Sequence, residues 1–136
     1  MPDADRAAAK ILIVDDEPTN VRLLERLLKA ANYGNVMSTT DAREAVGRYR
    51  AFRPDIVLLD LHLPDLPGSE VLRHLREDQR TRDIPVVILS ADATAGQITR
   101  LLAQGARAYL TKPVDVGEIL TLLDDIFTGN EGDGHA

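Results

Sequence analysis

A chain of 136 residues with 44% apolar and 28% charged types is sized and composed for one compact domain, which excludes a fibrous or wholly disordered architecture. Lys and Arg total 16 against 22 Asp and Glu, a formal charge of −6, so no net basic field holds phosphate backbones and nucleic acid is not an expected partner. With no Cys, a disulfide framework and a thiolate metal site are ruled out. No apolar run approaches the ~18 residues that span a bilayer, and a cytoplasmic protein without membrane attachment is expected.

The opening segment, residues 1–9, has no apolar signal-peptide core and is expected to be a flexible tail or the stub of a linker. Residues 11–14, all Ile, Leu or Val, form the first predicted strand, and the acidic pair Asp15 and Asp16 follows it. Pro18 marks the first turn of a helix in which Val21, Leu24 and Leu28 share a face that Arg22, Glu25, Arg26 and Lys29 avoid. Residues 35–38 contain Asn35, Met37 and Ser38 and suit an edge strand. Asp41, with Glu44 after it, has the spacing of a capping box. Residues 56–59 are a strand of Ile, Val and Leu that ends in Asp60, and residues 86–89 are another that ends in Ser90. Residues 107–110 lead into Lys112 and Pro113. Asp115 and Glu118 repeat the capping spacing before a helix whose stripe is Ile119, Leu122, Leu123 and Ile126. Residues 128–136 are small and polar and are again expected to be a tail or linker stub.

Short apolar runs that alternate with longer amphipathic stretches indicate buried parallel strands joined by right-handed crossover helices. The expected fold class is α/β: a (βα)5 chain folded as a three-layer α/β/α sandwich around a five-stranded parallel sheet. In such sheets ligands bind beyond the carboxyl ends of the strands, which brings Asp15, Asp16, Asp60, Ser90 and Lys112 to one rim. Three carboxylates gathered there must share protons or bind a cation. Oxygen-only donors suit Mg²⁺, with Mn²⁺ as the alternative. Asp60 lies between the acidic pair and Lys112 and is the candidate nucleophile toward phosphorus, giving an aspartyl phosphate. Lys112 and the Ser90 hydroxyl would supply positioning and charge neutralisation.

Four stretches carry a resemblance to a known family. They are Ile11-Leu12-Ile13-Val14-Asp15-Asp16-Glu17; Pro54-Asp55-Ile56-Val57-Leu58-Leu59-Asp60-Leu61-His62-Leu63-Pro64 with Pro67-Gly68; Val86-Val87-Ile88-Leu89-Ser90-Ala91; and Gly105-Ala106-Arg107-Ala108-Tyr109-Leu110-Thr111-Lys112-Pro113. Over residues 10–127 the chain resembles the receiver domain of two-component response regulators. The resemblance implies a flavodoxin-like strand order 2-1-3-4-5. It implies that Asp60 is the phosphoacceptor, Asp16 a direct Mg²⁺ ligand, Asp15 a ligand acting largely through water, and the His62 backbone carbonyl the last protein donor to the metal. Ser90 takes the place of the switch hydroxyl with the Ala91 backbone beside it, Tyr109 that of the switch aromatic and Lys112 that of the phosphate-pairing lysine. The Lys112–Pro113 peptide is expected to be cis. His62 and Asp92 are expected to tune the lifetime of the phosphoryl group.

The same resemblance implies a histidine kinase or histidine phosphotransfer protein as donor. The surface made by the fourth crossover helix, the fifth strand and the last helix would then address a downstream protein target or output domain, with a homodimer through that surface as a further outcome. An aspartate-based phosphohydrolase would share the covalent chemistry, but the sequence shows no obvious lid or substrate-pocket insertion, so a signalling switch and not a turnover enzyme is expected. The acidic pair, Asp60, Ser90 and Lys112 argue against an interaction module that is never phosphorylated. The acidic first βα turn lacks the glycine-rich fingerprints of nucleotide binding.

Overall fold

The computed structural model describes residues 3–62, 67–79, 81–91 and 94–128. Among them the elements run α1 (Asp3–Ala8), β1 (Lys10–Val14), α2 (Pro18–Ala30), β2 (Asn35–Thr39), α3 (Ala42–Phe52), β3 (Ile56–Asp60), α4 (Gly68–Glu77), β4 (Val86–Ser90), α5 (Ala95–Ala103), β5 (Ala108–Thr111) and α6 (Val116–Thr128). The sheet is parallel throughout, in the order β2-β1-β3-β4-β5. This is the flavodoxin-like α/β/α sandwich, and among the described residues no helix is long and apolar enough to cross a membrane.

The two faces of the sheet follow from the twofold alternation of side chains along each strand. Leu12 and Val14, Val57 and Leu59, and Val86 and Ile88 pack with Ala45 and Tyr49 of α3, Val71, Leu72 and Leu75 of α4, and Leu101 of α5. Their neighbours Ile11, Ile13, Ile56, Leu58, Val87 and Leu89 pack with Val21, Leu24 and Leu28 of α2 and Ile119, Leu123 and Ile126 of α6. Covering both faces is what demands unbroken apolar strands in the centre. The outer strands β2 and β5 are only partly buried, as edges require.

Several expectations are corrected. The opening residues are not simply a tail: α1 packs against the α2/α6 side through Arg6, whose Nη1 donates to the Ala31 carbonyl (3.2 Å) and whose Nη2 donates to Asp124 Oδ1 (3.3 Å). The same guanidinium lies 5.6 Å from the centre of the Tyr33 ring. β5 begins at Ala108 and not at position 107, because the Arg107 N–H donates to the Val86 carbonyl (2.8 Å) before the Val87–Ala108 pairing starts. Asp41 does cap α3, its Oδ1 accepting the Arg43 N–H (2.9 Å), but Glu44 does not close the box. The Asp41 N–H donates to Thr39 Oγ1 (3.2 Å), and Glu44 Oε1 accepts from Thr39 Oγ1 and Arg48 Nε instead. At the start of α6, Asp115 Oδ1 accepts the Glu118 N–H (3.2 Å). Asp92, the Leu63-Pro64 pair and residues 129–136 lie outside the described residues.

Candidate functional site

β1 and β3 are neighbours in the sheet, so the residues that end them must meet. Asp15 follows β1, fully buried, and its N–H donates to the Thr39 carbonyl of β2 (3.2 Å). Asp15 Oδ1 accepts the N–H of Glu17 (2.9 Å), a short turn that fixes the carboxylate before α2 begins. Asp60 ends β3, only 4% exposed, and its Oδ1 accepts the His62 N–H (3.2 Å). The backbone at this point is clamped by Gly68: its N–H donates to the Leu61 carbonyl (2.9 Å), and a Cβ there would lie 2.6 Å from the Asp60 carbonyl oxygen. Only glycine permits so close an approach of α4 to the end of β3.

Lys112 arrives from β5. Its N–H donates to the Ser90 carbonyl (2.8 Å), which holds the residue beside the end of β4, and its Nζ lies 3.0 Å from Asp15 Oδ2 and 3.4 Å from Asp60 Oδ2. The Lys112–Pro113 peptide is cis. Ser90 is buried as the last residue of β4, opposite Thr111 in register. Ala91 follows it at the exposed rim, as His62 follows Asp60 and Leu61. Tyr109 sits lower on β5, paired with Ile88, its ring half-buried against the cluster beneath α3, α4 and α5. Asp15, Asp16 and Asp60 each offer a carboxylate oxygen, all within 4.8 Å of one another.

The electrostatics follow from this crowding. Burial, then the Asp15 charge, push the Asp60 carboxyl up to about 6, against the opposing pull of Lys112 and the His62 N–H. Burial alone would lower Lys112, but pairing with Asp15 and Asp60 outweighs it and holds the ammonium above its ordinary range. One lysine among three acids leaves negative charge uncompensated in a site largely shielded from water. An all-oxygen donor set that is short of positive charge fits a hard divalent cation such as Mg²⁺.

Two features have no counterpart in the motifs. Asn20, Leu23, Leu24, Leu27, Pro113 and Val114 form an apolar groove with Asp15 and Lys112 at its edge, and Leu23 is 63% exposed. Leu23 falls off the Val21/Leu24/Leu28 stripe, the one local sign that it serves something other than the core. Arg76, on α4, donates from Nη1 to the Arg82 and Ile84 carbonyls (2.8 Å each) and from Nη2 to the Gly105 carbonyl (2.8 Å). It thereby ties α4 to the turns that feed β4 and β5, the strands that deliver Ser90 and Lys112. Nothing local in the sequence marks it, since its partners lie on other turns.

Comparison with known proteins converges on one family. Residues 11–124 match the family model described as the response regulator receiver domain. The chain is 36% identical over 106 residues to the polar-differentiation response regulator DivK of Brucella anthropi, covering 78% of this chain and 85% of that protein. It is 43% identical over 108 residues to the response regulator PleD of Caulobacter vibrioides, covering 79% of this chain but only 24% of PleD. The chain therefore corresponds to about a quarter of that longer regulator. Among solved structures, chemotaxis protein CheY4 of Vibrio cholerae superposes with a TM-score of 0.81 at 26% identity, covering 87% of this chain and 98% of that one. The receiver domain of a sensor histidine kinase from Pseudomonas aeruginosa, which holds a magnesium ion in its active-site cleft, gives 0.80 at 31% identity, covering 88% and 98%.

Proposed function

The chain belongs to the family of response regulator receiver domains, and from that premise we propose that it is a phosphoacceptor switch whose acceptor is Asp60. An Asp60 oxygen attacks the phosphorus of a phosphohistidine on a histidine kinase or histidine phosphotransfer protein. The P–N bond breaks, its electron pair leaves with the imidazole nitrogen, which takes a proton from solvent, and an aspartyl phosphate remains. Asp15, Asp16, Asp60 and the His62 carbonyl would hold Mg²⁺, or Mn²⁺ in its place, which supplies charge neutralisation for the carboxylates and the incoming phosphoryl oxygens. Lys112, whose Nζ lies 3.0 and 3.4 Å from the two carboxylates, would turn its ammonium to pair with an oxygen of the incoming phosphoryl group. The observation that carries the reading is this one: a nearly buried carboxylate at the end of a central strand, ringed by two more acids and one ammonium.

The Ser90 hydroxyl and the Ala91 N–H would bond a phosphoryl oxygen, drawing the end of β4 inward, and Tyr109 would turn toward the space vacated. The α5-β5-α6 surface would then change in population and be read by a downstream protein, an output domain or a second copy of the chain. Chemistry is confined to taking and losing one phosphoryl group, with no turnover of an external substrate. The groove beside Asp15 and Lys112, with exposed Leu23, would seat the phosphohistidine donor, because a docked partner there brings its imidazole to the mouth of the site. The test is transfer from a radiolabelled phosphotransfer protein: label should move to the wild type and not to Asp60→Asn, and transfer to that variant would overturn the assignment.

A further inference from the structure

The pole of the sheet opposite the carboxylates carries a second concavity. The end of α3, the approach to β3 and the turn before β4 enclose about 400 Å³, lined by Tyr49, Arg50, Arg53, Pro54, Thr81 and Ile84. Small-molecule pockets span about 300–1,000 Å³. Arg50 is held in place by Asp78, its Nε 2.7 Å from Oδ2. Arg53 ends α3 in the left-handed region at φ 52, its N–H donating to the Tyr49 carbonyl (2.9 Å). Glycine adopts that conformation without strain and arginine does not. Among the described residues no carboxylate pairs with the Arg53 guanidinium. The one acid lining the cavity, Asp55, keeps its charge there while its Oδ2 accepts the Lys10 N–H at 2.9 Å, so the two arginines face a single carboxylate across the cavity.

The left-handed cap ends α3 at this point, and the residue that occupies it is an arginine lining the same cavity as Arg50. Two guanidinium forks, one of them partly neutralised, suit a dianion with several oxygens better than a single carboxylate. We infer that this cavity binds a small phosphorylated molecule, its phosphate taken by Arg53 and Arg50 and its body set against Pro54 and Ile84. The site is separate from the phosphoacceptor centre, at the other end of the strands, and does not depend on the role given to Asp60.

The test is an amide chemical-shift titration of the full chain, in EDTA, with inorganic phosphate and with adenosine monophosphate as probes. Saturable shifts at residues 49–55 and 81–85 with either probe support the inference. Shifts centred on Asp15, Asp60 and Lys112, or no saturable response to either probe, overturn it. Arg53→Gly supplies the second readout. It should raise the thermal midpoint in chloride buffer by relieving the backbone, and weaken probe binding at least tenfold. A variant that is stabilised yet binds as tightly as the wild type would show Arg53 to be an ordinary surface residue, and the inference would fail. Arg50→Gln should likewise weaken binding, and unchanged affinity in that variant counts against the site.

Discussion

Replacing Asp60 by Asn should make the metal-free protein more stable at neutral pH, although it removes the proposed acceptor. The Asp60 carboxyl moves from an ordinary 3.8 to about 6 because the folded chain buries it and sets Asp15 beside it. Between pH 4 and 6 the native state therefore binds more protons than the unfolded state, and stability falls as pH rises through that window. Two units and a little more, at 1.36 kcal/mol each, set a ceiling of about 3 kcal/mol on the destabilisation, which is fully expressed from about pH 7 upward. Asn keeps the shape and the acceptor for the His62 N–H without the charge. Urea unfolding in EDTA should show wild type and Asp60→Asn nearly equal at pH 4, where the folded carboxyl, like the amide, carries no charge. The variant should pull ahead by up to about 3 kcal/mol at pH 7.5. Mg²⁺ should narrow the gap by stabilising the wild type through binding to the native state alone. A gap that does not depend on pH, or a variant less stable at pH 7.5, would refute the claim that burial and the Asp15 charge together outweigh the pull of Lys112.

Other perturbations act on the same framework. Lys112→Ala should lower stability at neutral pH by about 2 kcal/mol, the moderate end for a buried ion pair because the lysine side chain stays 20% exposed. Mg²⁺ should restore part of that loss, and a urea midpoint identical to wild type in EDTA would contradict the pairing. Gly68→Ala must push a Cβ into the Asp60 carbonyl and should cost about 1–3 kcal/mol, read as a lower urea midpoint, together with slower phosphorylation. Leu23→Glu should slow phosphoryl transfer from a protein donor at least tenfold while leaving the rate with acetyl phosphate unchanged. Equal slowing with both donors would remove the groove from the docking role.

The parts of this fold that could be read from the chain are those set by local pattern. Central strands covered on both faces must be continuous apolar runs, so β1, β3 and β4 stood out, and the acids and the lysine at strand ends followed once the sheet was parallel. What could not be read depends on partners distant in sequence. α1 is anchored by Arg6 reaching Asp124, 118 positions away, and no local pattern in the opening segment shows that partner. Glu44 has the right spacing for a capping box but is drawn to Thr39 and Arg48, a competition visible only in three dimensions. Arg76 supports two strand entrances through backbone carbonyls, which carry no sequence signature at all. The separations at the acidic centre belong to the same class. Asp15 and Lys112 are 97 positions apart, and only folding could show that the ammonium lies closer to Asp15 than to Asp60.

The most direct measurement is intact mass, with fragment sequencing, after incubation of the whole chain with acetyl phosphate and Mg²⁺. The expected result is one added phosphoryl group located on Asp60, absent from Asp60→Asn and absent when EDTA replaces the metal. A phosphoryl group located on any other residue, or a wild-type chain that stays unmodified, would contradict the central claim.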